Sequence, residues 1–202
     1  MNPVLGAIRR ANLDGTDVET IINTGVVSIE GIAIDVSNEK VYWANINSEI
    51  RSANWDGSDN QQVYATNNLI KLAKDMNTGV IYFTTFVDGK IFKINPDGTG
   101  LVELANVGQT LGSIALDPVA NEVYAAANGG IFKVGTDGTG LTQVLANPGS
   151  VSLHLGFTFD TTFLPPNRRT EPLPAFSRLH LALFGLLAYG LSIFLIGRVS
   201  LK

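Results

Sequence analysis

The chain has no cysteine in its 202 residues. Disulfides, thiolate catalysis and Cys-based metal sites are therefore excluded. Basic excess is also missing, with 14 Lys and Arg against 18 Asp and Glu and a formal net charge of -4. No stripe of basic residues with interleaved aromatics appears, so nucleic acid is not an expected partner. Histidine is scarce: His154 lies in an apolar segment and His180 in a long apolar run. H-E-x-x-H, G-x-S-x-G and P-loop motifs are lacking, and no catalytic set or cofactor site is expected. There is no Asn-X-Ser/Thr acceptor for N-glycosylation. The opening stretch, Met1–Gly15, lacks a charged segment followed by an apolar one, so it does not read as a signal peptide.

What is present is repetition. The hexapeptide "NLDGTD" at 12–17 returns as "NWDGSD" at 54–59, "NPDGTG" at 95–100 and "GTDGTG" at 135–140. Its aspartates, Asp14, Asp56, Asp97 and Asp137, are separated by 42, 41 and 40 residues. A constant period near 40 marks a repeat architecture. The glycines Gly15, Gly57, Gly98 and Gly138 suit a tight hairpin because glycine takes positive φ freely, and aspartate tolerates it. These eight residues are expected to be structural. An Asp-Gly pair needs no calcium to explain it, and no D-x-D-x-D-G loop occurs.

Aligning on the turns exposes the rest of the unit. Before each turn stands a strand: 7–12, 49–54, 90–95 and 130–135. Earlier comes a tyrosine strand: "KVYWAN" (40–45), "VIYFTT" (80–85) and "EVYAAA" (122–127). Before that lies an apolar strand ending in aspartate: "GIAID" (31–35), "KLAKD" (71–75), "SIALD" (113–117) and "GFTFD" (156–160). Four short strands every 40 to 45 residues predict a β-propeller blade. The Asp-terminated strand is expected to be innermost, and Asp35, Asp75, Asp117 and Asp160 to cap the following turn. "KLAKD" departs from the apolar pattern through Lys71 and Lys74. The aromatic pairs Tyr42–Trp43 and Tyr82–Phe83 should point to opposite faces of their strands.

This succession of motifs resembles the YWTD repeat of low-density-lipoprotein-receptor class B propellers over about residues 7–160. The last position of the name-giving motif is never Asp: Asn45, Thr85 and Ala127 replace it. The "DGTG" turns also resemble those of TolB-like propellers. The resemblance implies a six-bladed ring. The repeat architecture, the apolar C-terminal run and the lack of a catalytic set lead to the expectation of a non-enzymatic module that binds a protein or glycan. Propeller lactonases and strictosidine-synthase-like hydrolases share the architecture and are the alternative; they would need carboxylates and Asn side chains around a central metal. A degenerate fragment without independent function is the third reading. The expected fold is all-β, with three full blades (31–65, 70–105, 112–146) and two partial ones, from residues 8–22 and 153–160. Such an arc is incomplete. It belongs to a longer propeller, completes a ring with another copy through its open edges, or stands alone as a small arc.

The blades are assigned to residues 1–163. A linker follows at 164–178, where "PPNRRTEPLP" carries four prolines. The last segment, 179–202, holds an apolar run from Leu179 to Ile196 and a basic end. Eighteen residues at 1.5 Å each give a helix of about 27 Å, enough to cross the hydrocarbon core. The tail resembles bacterial PEP-CTERM and IPTL-CTERM sorting signals, with Leu173, Pro174, Ala175, Phe176 and Ser177 as the candidate sorting motif. That resemblance implies a membrane-anchored, extracytoplasmic or cell-surface protein of bacterial type. An anchor without an export signal points to insertion from the tail or to a start further upstream.

Overall fold

A computed structural model describes residues 6–26, 28–45 and 47–146, apart from the side chain of Ile70. The candidate sorting motif, the apolar run, Asp160 and the strand 153–160 lie outside the described residues.

Fourteen strands form one two-stranded and three four-stranded sheets. The first blade contributes β1 (Ala7–Arg10) and β2 (Glu19–Asn23). The second is β3 (Ile29–Asp35), β4 (Lys40–Asn45), β5 (Glu49–Asn54) and β6 (Gln61–Ala65). The third is β7 (Leu69–Lys74), β8 (Ile81–Thr85), β9 (Lys90–Ile94) and β10 (Val102–Asn106). The fourth is β11 (Leu111–Asp117), β12 (Glu122–Ala127), β13 (Gly130–Gly135) and β14 (Thr142–Ala146). Every neighbouring pair is antiparallel, so each blade is an up-and-down meander. The sequence placed these boundaries within about two residues.

The Asp-terminated strands are the inner ones: β7 packs between β3 and β11. Their closeness explains the small residue at the head of "GIAID". A Cβ on Gly31 would come within 3.1 Å of the Leu72 amide nitrogen on the next blade. Burial of apolar surface then accumulates between blades rather than within them. Tyr42 faces the third blade, with Leu72, Ile81 and Phe83. Trp43, its neighbour, faces the first blade, with Ile8 and Ile22. Tyr82 and Phe83 divide in the same way, between the fourth blade and the second. The strand alternation read from the sequence holds in both pairs.

Two expectations need correction. The Asp of the hexapeptide does not adopt positive φ. Gly15, Gly57, Gly98 and Gly138 do (82° to 89°), and so does the sixth residue of each copy: Asp17, Asp59, Gly100 and Gly140. The loop closes through a hydrogen bond that the Gly amide donates to the carbonyl of the first residue, as from Gly98 to Asn95 at 3.0 Å. The Asp accepts instead. Asp97 Oδ1 takes the Thr99 amide at 2.9 Å and the Thr99 hydroxyl at 2.7 Å, and the other three turns repeat this. Those bonds hold all four carboxyls that show them, Asp14, Asp56, Asp97 and Asp137, below the ordinary carboxylate value.

The second correction concerns "GIAID". The strand is innermost, yet Ile32 and Ile34 are each 53% exposed. Their counterparts one and two blades on, Leu72 and Ile114, are 6% and 7% exposed. The difference follows from the strand count. Leu72 and Ile114 are covered by the full blade before them, whereas Ile32 and Ile34 face the first blade, which has only its two outer strands among the described residues.

Candidate functional site

Three inner strands packed side by side in the same direction place their C-terminal ends at one end of the arc. The loops after them cluster there, together with the hexapeptide turns. Each loop is closed by its aspartate. Asp35 accepts from the Asn38 amide and side chain, both at 3.0 Å. Asp75 accepts from the Asn77 amide at 2.8 Å and the Thr78 hydroxyl at 2.7 Å. Asp117 accepts from the amides of Val119 and Ala120, both at 3.0 Å. The capping role read from the sequence is thus met at all three described positions. Asp35 and Asp75 are buried, so they are engaged as scaffold and do not project as a carboxylate ring at the channel mouth.

Just past each capped aspartate an apolar side chain emerges into solvent. Val36 is 61% exposed, Met76 47% and Val119 55%. A single exposed apolar residue is ordinary, but one in the loop after the inner strand of three successive blades, one position past the Asp in two and two positions past it in the third, makes a repeated apolar feature on one end. Nothing in the sequence reading singled these residues out. The signal was available as an apolar residue one position past the strand-ending Asp at Val36 and Met76, and two positions past it, after Pro118, at Val119, but without the fold it read as loop filler.

The opposite end carries the loops that follow the second strand of each full blade. Asn45 closes the first of them: its Oδ1 accepts from the Asn47 amide at 2.9 Å, and its Nδ2 donates to Glu49 at 2.8 Å. The Thr85 hydroxyl accepts from the Lys90 amide at 3.2 Å. Ala127 has no side-chain acceptor, and its loop is held by Gln109, which accepts from the Gly129 amide at 2.7 Å.

A polar cavity of about 490 Å³ opens at the outer part of the fourth blade, lined by Asn121, Glu122, Lys133 and Thr142 among others. At its wall Lys133 Nζ donates to Glu122 at 2.6 Å, and the Tyr124 hydroxyl donates to the other carboxylate oxygen at 2.8 Å. Burial works against the Glu122 carboxylate, but the two hydrogen bonds outweigh it and hold its pKa below the ordinary value. Burial, reinforced by the bond to Glu122, pushes the Tyr124 phenol up.

The turn residues do more than turn. A Cβ on Gly57 would collide with the Ile21 carbonyl of the preceding blade, and one on Gly98 with the Val63 carbonyl. One on Gly138 would lie 3.2 Å from the Leu104 carbonyl. Each hairpin is therefore pressed against the outermost strand of the blade before it.

This up-and-down, four-stranded, side-by-side arrangement has solved counterparts. A chain in the crystal structure of a nidogen/laminin complex matches with a TM-score of 0.62 and 22% identity, covering 67% of this chain and 55% of that one. The fold is that of a β-propeller. A luciferin-regenerating enzyme matches with a TM-score of 0.55 and 15% identity over 71% of this chain and 55% of its own. The extracellular domain of a putative one-component system from B. thetaiotaomicron matches at 0.54 and 16%, over 74% of this chain and 22% of its own. Among curated sequences, Protein cueball of Drosophila grimshawi is 30% identical over 107 residues, 51% of this chain and 18% of that protein. No family model matches the sequence. The chain thus spans about a fifth of that curated relative and little more than half of the nidogen chain. Among the described residues no helix is long and apolar enough to cross a membrane, and no group of three or more His, Asp or Glu is placed to hold a metal ion.

Proposed function

We propose that the chain is a non-enzymatic binding module that holds a protein or glycan partner on the end of the arc where Val36, Met76 and Val119 emerge. The observation that carries this reading is their shared exposure after three capped aspartates. The loops beneath them are rigidified by buried or half-buried carboxylates, so the apolar groups are presented on a stiff frame, which lowers the ordering cost of binding. The nidogen neighbour, whose structure was solved as a complex with laminin, supports a propeller surface as a protein-binding one. On this reading the module is displayed outside the cytoplasm, with Leu179–Ile196 as its membrane anchor and Leu173–Ser177 as a sorting motif.

The test uses the full chain in detergent against arrays of extracellular-matrix proteins and glycans. Binding that is lost in the triple variant Val36→Glu, Met76→Glu, Val119→Glu, with thermal stability unchanged, supports the proposal. The luciferin-regenerating enzyme makes a hydrolase the second reading. Calcium-dependent ester hydrolysis by the wild-type chain would overturn the first.

A further inference from the structure

The exposed apolar set contains one residue with redox chemistry of its own. Val36 and Val119 end in hydrocarbon, whereas Met76 ends in a thioether whose sulfur is open to two-electron oxidation. The chain has two methionines, and Met76 is the one among the described residues. Met76 is 47% exposed. It follows the inner strand of the third blade, which packs between the inner strands of the second and fourth. Four-stranded blades therefore flank it on both sides.

The backbone around Met76 is closed without help from its side chain. Asp75 accepts from the Asn77 amide and the Thr78 hydroxyl. The Gly79 amide donates to the Asp75 carbonyl at 2.8 Å, and the Asp75 amide donates to the Val80 carbonyl at 2.9 Å. Met76 also belongs to none of the three apolar clusters between the blades. A change at its sulfur thus leaves both the loop and the blade contacts in place.

We propose that Met76 is a site of reversible oxidation that controls the apolar face, an inference that rests on the binding role given to that face above. A hydroperoxide transfers one oxygen to Sδ. The O–O bond breaks, an S–O bond forms, sulfur gives up two electrons, and the peroxide leaves as water or an alcohol. The middle blade then presents a polar sulfoxide in place of a thioether. A partner that buries Met76 must now desolvate the S–O dipole or supply a donor to it. Reduction by a methionine sulfoxide reductase reverses the step: two thiols become a disulfide and the oxygen leaves as water.

The site is tested without a ligand. The full chain in detergent is treated with dilute hydrogen peroxide, folded and in urea, and Met76 sulfoxide is followed by peptide mass mapping. The folded chain is expected to react at roughly half the rate of the unfolded one, in line with 47% exposure, and to keep its thermal midpoint once oxidised. Protection of about 100-fold or more, the mark of a sulfur that reacts only when the structure opens, overturns the proposal. So does a lowered midpoint, because oxidation is then damage to the fold.

Control of binding is tested on the matrix proteins and glycans that the wild-type chain holds on the arrays. Peroxide is expected to weaken that binding by roughly tenfold or more, and the reductase to restore it. Met76→Leu and Met76→Gln, each compared only with itself before and after peroxide, should show no change. Complete oxidation with binding unaltered overturns the control and leaves the binding role standing. Sensitivity that persists in Met76→Leu also overturns it. If nothing on the arrays binds, the binding role fails and the control fails with it, while the rate and the midpoint still decide whether folded Met76 is oxidised.

Discussion

Lys74 Nζ lies 2.9 Å from the Asp35 carboxylate across the boundary between the second and third blades, and both side chains are almost fully buried. The same ammonium sits 5.5 Å from the centre of the Tyr42 ring. Three residues away, Lys71 donates to the Glu30 carbonyl and lies 3.9 Å from its carboxylate. The two lysines that broke the apolar pattern of "KLAKD" thus hold one inner strand to the next. Removing Lys74 leaves a buried carboxylate with only Asn38 as partner. Lys74→Ala is expected to destabilise the chain by about 3–5 kcal/mol, read as a shift in the urea midpoint. The exposed pair Arg10–Glu19 provides the contrast, and Arg10→Ala should cost at most about 1 kcal/mol.

Asp35 also predicts an acid limb. Burial pushes its carboxyl up, but hydrogen bonds from Asn38 and Lys74 outweigh this and hold it below the ordinary value. A group with a depressed folded pKa gives stability that is fully present above its unfolded pKa, near 4. That stability is lost as pH falls toward the folded value. Thermal midpoints measured from pH 7 to pH 2 should therefore fall below about pH 4, and Asp35→Asn should flatten part of that fall. An unchanged profile in Asp35→Asn would remove Asp35 from the account.

The turn glycines should separate by their neighbours. Gly15 and Gly98 share positive φ, so alanine strains both by about 1 kcal/mol. At Gly98 the new methyl also meets the Val63 carbonyl, whereas at Gly15 it meets nothing. Gly98→Ala should cost roughly 1–3 kcal/mol more than Gly15→Ala, measured by chemical denaturation of the dilute chain. Equal costs would mean that the hairpins do not press on the preceding blade.

Tyr124 should ionise above the ordinary tyrosine value. Burial and its bond to Glu122 both raise it. A spectrophotometric titration should lose a high-pH step in Tyr124→Phe, and Glu122→Gln should bring that step to lower pH.

The blades were legible because the hexapeptide fixes a period and each strand keeps its alternation. The aspartate caps at 35, 75 and 117 were legible for the same reason, since Asp accepts amides in the turn that follows it. What could not be read was set by neighbours distant in sequence. "DGT" looks like an isolated hairpin until Gly57 and Gly98 are seen against Ile21 and Val63. Lys71 and Lys74 look like defects until Glu30 and Asp35 stand opposite. The exposed set Val36, Met76 and Val119 becomes a face only when three loops are brought to one end, and a local pattern carries no such information.

The central claim is that each blade covers the next and that, among the described residues, nothing covers the leading face of the second blade's inner strand. Accessibility at three equivalent positions tests it most directly. Ile32→Cys, Leu72→Cys and Ile114→Cys are labelled with a thiol reagent in native, dilute protein held in detergent. The account predicts that the thiol at 32 reacts close to the rate of the unfolded chain. Those at 72 and 114 should be slower by roughly 100-fold or more, because they react only when the blades open. Equal protection at all three positions would contradict an open leading face.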